Sequence, residues 1–350
     1  MTTKDNKKYL IGFLLGTDAV HGDQHSIGTV LFPHNIGLSC THNEGNFENL
    51  GFWTKQGIKK SGFNYAFAPC VAVSHNPQWG RYYESMGQED DFIQKYAESF
   101  VKGLQDVSGN QIKGVLGSAK HYFGDGSTHY GANEGTARVT NFKNYISHNT
   151  KGYLGASNSE VGSVMVSYSA INFVPNSYNS VYLQGVLRND LNFGGFTISD
   201  YDELMRLETM GLPRTFMNVS EERGYAMLIN SGVDMIMLSA ERQLLQTQLE
   251  RVIKEAKKNV EKNLLFEDRL TEAVTRILQV KMAMGLVKSL SDPVQPQEEP
   301  SINYPKSSST NEYQDSLQAV HESLVVLKNS NTLPVKSLYS EIKYVVLVGE

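Results

Sequence analysis

Gly194-Gly195-Phe196-Thr197-Ile198-Ser199-Asp200-Tyr201 joins a glycine pair, a short apolar run and an acid followed by an aromatic. Such a run reads as a buried parallel strand whose last residue reaches a polar mouth. In barrels of alternating strands and helices, the C-terminal ends of the strands carry the chemistry. Asp200 is therefore a candidate nucleophile or base, with Tyr201 beside it as a stacking platform. On this stretch alone, an Asp that caps the next helix is the simpler reading. The other strands have to decide between the two.

Working outward, the same grammar recurs. Tyr9 to Gly16 is apolar, reads as a core strand, and runs into Thr17-Asp18-Ala19-Val20-His21-Gly22, which delivers an acid. Tyr65 to Val73 is a second strand, followed by a loop carrying Trp79-Gly80-Arg81 and Glu84. Gly114 to Ala119 is short, apolar, and ends in Lys120-His121-Tyr122-Phe123-Gly124-Asp125-Gly126. Val161 to Ser169 and Val233 to Leu238 are two more. Helices are expected between them over Glu44 to Lys60, Tyr182 to Leu191, Glu221 to Ser231 and Leu244 to Lys258. Another spans Asp91 to Leu104, with Phe92, Tyr96, Phe100 and Leu104 on one face. A last one has Asp268 as its N-cap and stops at Gly285. Six strands alternating with helices predict an α/β fold with a parallel sheet. That is two short of a closed eight-stranded (β/α) barrel, with one strand expected upstream of Met1.

Leu290 to Thr310 is rich in Pro, Ser and Gln and reads as a linker. Past it, Tyr313 to Leu327 predicts a helix running into an apolar strand, and Tyr344 to Val348 another strand. The expected organisation is a barrel over 1–289, a linker over 290–312 and the opening of a second α/β unit over 313–350. A chain that starts and stops inside core strands reads as a fragment.

The 350 residues are 40% hydrophobic and 20% charged, which suits a soluble globular enzyme. A net charge of −5 without a basic block argues against nucleic acid or an anionic membrane as partner. Cys40 and Cys70 have neither metal nor disulfide spacing and read as two buried small residues. No apolar run reaches membrane-spanning length, and Met1 to Lys8 is not a secretion signal. Asn218-Val219-Ser220 is a lone glycosylation acceptor triplet. No Walker or dinucleotide fingerprint is present, so no cofactor is expected. His121 with Asp125, or His21 with His25, lacks a third ligand at a telling spacing, so no metal is expected either.

If these strands share one mouth, Asp18, Arg81, Lys120, His121, Tyr168, Asp200 and Tyr201 meet there. Taken singly, each has an ordinary structural role. Arg81 reads as an ion-pair partner, Lys120-His121 as surface, Tyr168 as core, Asp234 as a strand-start acid, and Asp125 and Glu84 as caps or ion-pair partners. Together, acids, cations and aromatics without a triad or phosphate loop suit a neutral polyhydroxyl ligand. Each sugar hydroxyl both donates and accepts, and the apolar face of the ring rests on an aromatic.

The motifs quoted so far, with Phe32-Pro33-His34-Asn35-Ile36-Gly37-Leu38, Ala66-Phe67-Ala68-Pro69-Cys70 and Glu322-Ser323-Leu324-Val325-Val326-Leu327-Lys328-Asn329, resemble glycoside hydrolase family 3. The resemblance runs from about Gly16 to the end, and is nearest the plant-type β-glucosidase and exo-β-glucanase branch. It implies a (β/α) barrel followed by an α/β sandwich, and removal of β-linked glucose from non-reducing ends with retention. It also implies Asp200 as nucleophile, with Asp18, Arg81, Lys120, His121 and Tyr168 holding the terminal glucose. Arg206 matches a further site-lining Arg, and Glu134 a carboxylate near the nucleophile. Such an enzyme needs an ionised carboxylate on one face of the anomeric carbon and a proton donor on the other, ~5–5.5 Å apart. Cations such as Lys120 or Arg81 would favour the ionised form. By the same resemblance the protein is secreted or lysosomal.

Three departures stand out. Tyr201 replaces the usual Trp, with less stacking area. His75-Asn76-Pro77-Gln78 and Gln88-Glu89 replace Arg-Asp-Pro-Arg and Glu-Asp, which alters the charges around Arg81. The proton donor of this branch comes from the second domain, so the 350 residues are expected to lack it. The alternatives are a non-catalytic sugar-binding homologue, a β-xylosidase, or a β-N-acetylhexosaminidase. The last is disfavoured because Gly124-Asp125-Gly126 stands where that branch has its Gly-His-Gly, and His129 lacks the Asp-Ser context of its Asp-Ser-His element.

Overall fold

A computed structural model describes residues 9–203, 221–238, 257–262, 265–289 and 311–330, with single positions at 250, 254 and 333. Five strands pair in parallel and in chain order: Gly16–Thr17, Tyr65–Ala66, Leu116–Tyr122, Ser163–Val166 and Phe196–Ile198. A parallel bridge from Ile198 to Met235 adds a sixth position. Leu116–Tyr122 is buried at every residue, as a strand covered on both faces must be. Pro69 has no N–H to give the ladder, and the Tyr65 strand ends at Ala66, with pairing resuming only as a bridge from Cys70 to Lys120.

The α/β class and the parallel sheet hold. A closed barrel is not formed among the described residues: the sheet ends at Gly16–Thr17 on one side and at the Met235 bridge on the other. The expected core strand over Tyr9 to Gly16 is corrected. Tyr9–Ile11 pairs antiparallel with Val287–Ser289, and Gly12 N–H donates to the Leu286 carbonyl at 2.7 Å. The start of this run is thus satisfied outside the parallel sheet, where Leu10 and Phe13 stay 60% and 80% exposed, and its end, Gly16, pairs within the sheet with Tyr65.

Helix Glu44–Lys60 starts on Asn43, whose side chain accepts from Gly45 N–H at 3.0 Å, and ends with Lys59 and Lys60 against the helix dipole. It crosses helix Asp90–Gln105, with Phe47 and Tyr96 stacked at 4.3 Å between ring centres. The crossing is tight because Gly51 faces Gly103. A Cβ at Gly103 would lie 2.1 Å from the Glu48 carbonyl oxygen, and one at Gly51 2.2 Å from that of Phe100. Both obstacles are backbone, so no rotamer change relieves them. Gly103→Ala is therefore expected to lower stability by about 2 kcal/mol or more despite its better helix propensity. A chemical denaturation curve checks this.

Other expectations shift by small amounts. The helix expected over Tyr182 to Leu191 is a π-type helix over Val181–Asp190. The last helix runs Glu267–Ala283 with Phe266 at its N-cap, so Asp268 sits in the first turn and favours the dipole from there. Gly285 does follow its end, at φ +68°. Cys70 is buried but Cys40 is exposed, because helix Asn35–Ser39 buries Asn35 and Leu38 and leaves the following residue outward. Helix Asn311–Glu322 docks on Glu44–Lys60, where Trp53 Nε1–H donates to Asp315 at 2.7 Å and Asn46 to Glu322 at 2.7 Å. Leu324 to Leu327, expected as a strand, finds no partner strand among the described residues and stays 58–93% exposed. Arg206, the Asn218 triplet, most of 244–258 and of the expected linker, and Tyr344 to Val348 lie outside the described residues.

Candidate active site

The parallel register gathers the strand ends. Asp18 follows Gly16–Thr17, Lys120 and His121 end Leu116–Tyr122, Ser167 and Tyr168 follow Ser163–Val166, and Asp200 follows Phe196–Ile198. Residues far apart in sequence become neighbours. Lys120 Nζ donates to Asp18 Oδ1 at 2.7 Å. Arg81 clamps Glu84 through two 2.7 Å bonds and brings Nη1 to 3.4 Å from His121 Nε2. The same Nε2 lies 3.8 Å from Asp200 Oδ2.

The hydrogens follow from the partners. Arg81 can only donate, so His121 Nε2 accepts, and the proton sits on Nδ1, which donates to Asp125 Oδ2 at 2.8 Å. Asp125 also accepts from the hydroxyls of Ser167 and Ser169. Three strand ends thus fix one imidazole. Glu84 is indeed an ion-pair partner, Asp125 is a hydrogen-bond partner of the neutral His121, and Lys120 and Arg81 direct their shortest contacts to Asp18 and Glu84. Among the described residues, His121 is the basic side chain that faces Asp200.

Among the described residues, Asp200 is held on one side. Its Oδ1 accepts from Tyr201 N–H at 2.7 Å, the local turn expected of an acid at a strand end, while Oδ2 points to the histidine. Tyr168 donates its hydroxyl to the Tyr201 carbonyl and so ties two strand ends together. The Tyr201 ring is 49% exposed, free to offer a face to a ligand. Asp18 is half exposed while Lys120 is almost sealed, which leaves carboxylate oxygens at the mouth. Burial opposes ionisation of Asp18, yet the Lys120 ammonium beside it outweighs that and holds the carboxyl below its ordinary range. Glu84 behaves alike: burial raises it, and the Arg81 guanidinium more than offsets this. Two carboxylates with their cations therefore ring the histidine.

One functional candidate escaped the sequence. Glu203 is 1% exposed and stands three residues beyond Asp200. Ser177 Oγ–H donates to its Oε1 at 2.6 Å. Burial, with the charges of Asp200 and Glu134 behind it, raises its carboxyl to about 8 against the one Ser177 bond that lowers it. Glu134 is half-buried, near enough for its charge to act on Glu203. The spacing Asp200-x-x-Glu203 was the available signal; without an apolar flank it reads as a solvated acid.

Parallel strands whose ends bring carboxylates, cations and an aromatic to one mouth define an α/β domain of the kind that carries a polar, sugar-sized ligand site. The family model for the glycosyl hydrolase family 3 N-terminal domain matches residues 1–280, and the chain belongs to that family. It is 27% identical over 356 residues to the lysosomal beta glucosidase of Dictyostelium discoideum, covering 97% of this chain and 40% of that protein. It is 27% identical over 323 residues to the periplasmic beta-glucosidase of Salmonella typhimurium, covering 91% of this chain and 39% of that one. The crystal structure of an exo-1,3/1,4-beta-glucanase from a Pseudoalteromonas species superposes with a TM-score of 0.75 and 30% identity over 92% of this chain and 38% of that chain. The chain thus spans about two fifths of the length of these relatives.

Proposed function

We propose that the protein is a retaining, exo-acting glycosidase that removes β-linked glucose from glucosides or short β-glucans, with Asp200 as its nucleophile. The observation that carries this is the placement of Asp200 Oδ2: a carboxylate oxygen at a strand end, 3.8 Å from an imidazole that Asp125 and Arg81 hold in place. Asp18, beside Lys120, accepts two sugar hydroxyls; Arg81 and Lys120 supply donors for the others, His121 offers Nε2 as an acceptor, and Tyr168 and Tyr201 border the ring. In the first step Asp200 attacks the anomeric carbon as the aglycone leaves; in the second, water releases the sugar with its configuration retained. Residues 1–289 make up the catalytic domain, and 313–350 belong to a second unit that supplies the proton donor. The names of the lysosomal and periplasmic relatives support a compartment outside the cytosol.

Leaving-group dependence tests this. Dinitrophenolate departs without a proton, whereas the alcohol of cellobiose needs one. The 350-residue chain is expected to release dinitrophenol from its β-glucoside while leaving cellobiose almost untouched. Faster release from the β-xyloside would make the substrate a pentoside, and no release from any β-glycoside would contradict the proposal.

A further inference from the structure

We propose that Glu203 is a positioning residue for Asp200 that works as a neutral carboxylic acid, clamping the nucleophile's turn to the turn Asn176–Tyr178. This rests on the glycosidase reading above. Glu203 is enclosed, and its Oε2 is sealed from solvent without a hydrogen-bond partner. Its Oε1 meets Ser177 Oγ, itself fully buried in the neighbouring turn. A carboxylate placed so would keep one charged oxygen bare, which is costly; a protonated acid is not so penalised.

The surroundings agree. The groups that reach Glu203 are Ser177, Asp200 and Glu134, with the Tyr178 hydroxyl raised in part by Glu203 itself. Tyr225, on helix Glu221–Ser231, which packs on the same turn, faces Tyr178 and Asp202. Among the described residues, none of these is a cation. Two carboxylates already stand near, so a third charge would push the clamp apart. The proton on Glu203 lets an acid sit under the nucleophile's turn without opposing its charge.

The consequence for stability has a definite sign. The folded value of about 8 lies above the ordinary 4.5, so the folded chain holds a proton that the unfolded chain releases. Stability is fully present below pH 4.5 and is lost as pH rises towards 8. Glu203→Gln keeps shape and neutrality and removes that loss.

Three measurements follow, on the 350-residue chain with dinitrophenyl β-glucoside as probe. First, the melting temperature of E203Q relative to wild type should climb between pH 5 and pH 8; a constant offset would overturn the proposal. Second, in an Asp200→Asn background that climb should level off at lower pH and be smaller overall, because one of the repelling charges that raise the folded value is gone. An unmoved climb would show that the two acids are independent and would end the positioning role. Third, wild-type kcat/KM should fall on the alkaline side, E203Q should move that fall upward, and Glu203→Ala should lose at least tenfold at every pH with Gln restoring most of it. If Gln is as damaged as Ala, or the alkaline fall does not move, the role is structural only and the proposal fails. The two melting experiments need no turnover, so they decide the proton on Glu203 and its coupling to Asp200 even where the glycosidase reading itself fails.

Discussion

Asp200→Asn is expected to lower turnover of β-glucosides by about four orders of magnitude or more, the scale of removing one member of a catalytic unit. The amide keeps the shape and an oxygen for the Tyr201 N–H, and the residue is partly exposed, so folding should change little. What is lost is the electron pair that bonds the anomeric carbon. Without it the first step has no covalent intermediate, and only unaided departure of the aglycone remains. The melting temperature should stay within a few degrees of wild type while kcat collapses and binding of glucose persists. A variant with a tenth of normal activity would remove Asp200 from the chemistry.

The second large effect lies at the opposite end of the same strand. Asp234 is wholly enclosed and takes Arg188 at 2.6 Å, Arg276 at 3.1 Å and Arg269, while also accepting from Thr197 N–H at 2.9 Å. Asp234→Ala leaves three guanidinium groups facing one another with, among the described residues, one carboxylate paired to them, the exposed Glu272. Burial, with Arg276 and Arg269 against it and Asp234 for it, already brings Arg188 down to about 10. Removing one partner of a buried ion pair costs roughly 3–5 kcal/mol, which for a domain of this size is a fall of about 5 °C or more in Tm. The damage travels to function through Thr197, two residues from Ser199 and three from Asp200. Differential scanning calorimetry reads it directly, and a fall of under two degrees would show that the arginines find other partners.

Much of the site was legible before any coordinates. Short apolar runs ending in Asp18, Lys120-His121, Tyr168 and Asp200 announce parallel strands, since only a doubly covered strand is apolar throughout and then abruptly polar. The runs do lie side by side, and their ends do contact one another. What failed has a common cause. Composition says that a segment is apolar, not which surface satisfies its backbone. Tyr9 to Gly16 looks like one core strand, yet Tyr9–Ile11 pairs with Val287–Ser289, almost the whole described chain away, and only Gly16 joins the parallel sheet. Leu324 to Leu327 has strand composition but no described strand beside it. Glu203 erred the other way: a lone acid after Asp200 reads as solvated, and only the fold reveals that Ser177 and a sealed cavity wall surround it. Pairings of cation and carboxylate were equally hidden, because any lysine suits any acid until geometry assigns Lys120 to Asp18 and Arg81 to Glu84.

Covalent trapping addresses the centre of the account. A dinitrophenyl β-glucoside carrying fluorine at carbon 2 forms the glycosyl-enzyme quickly and releases it slowly, and the good leaving group needs no proton donor. After digestion, mass spectrometry is expected to find one fluoroglucosyl group, on the peptide containing Ser199-Asp200-Tyr201 and on the Asp200 carboxylate. A stable adduct on Glu134, Asp18 or any other residue, or burst release of dinitrophenol with Asp200 unmodified, would contradict it.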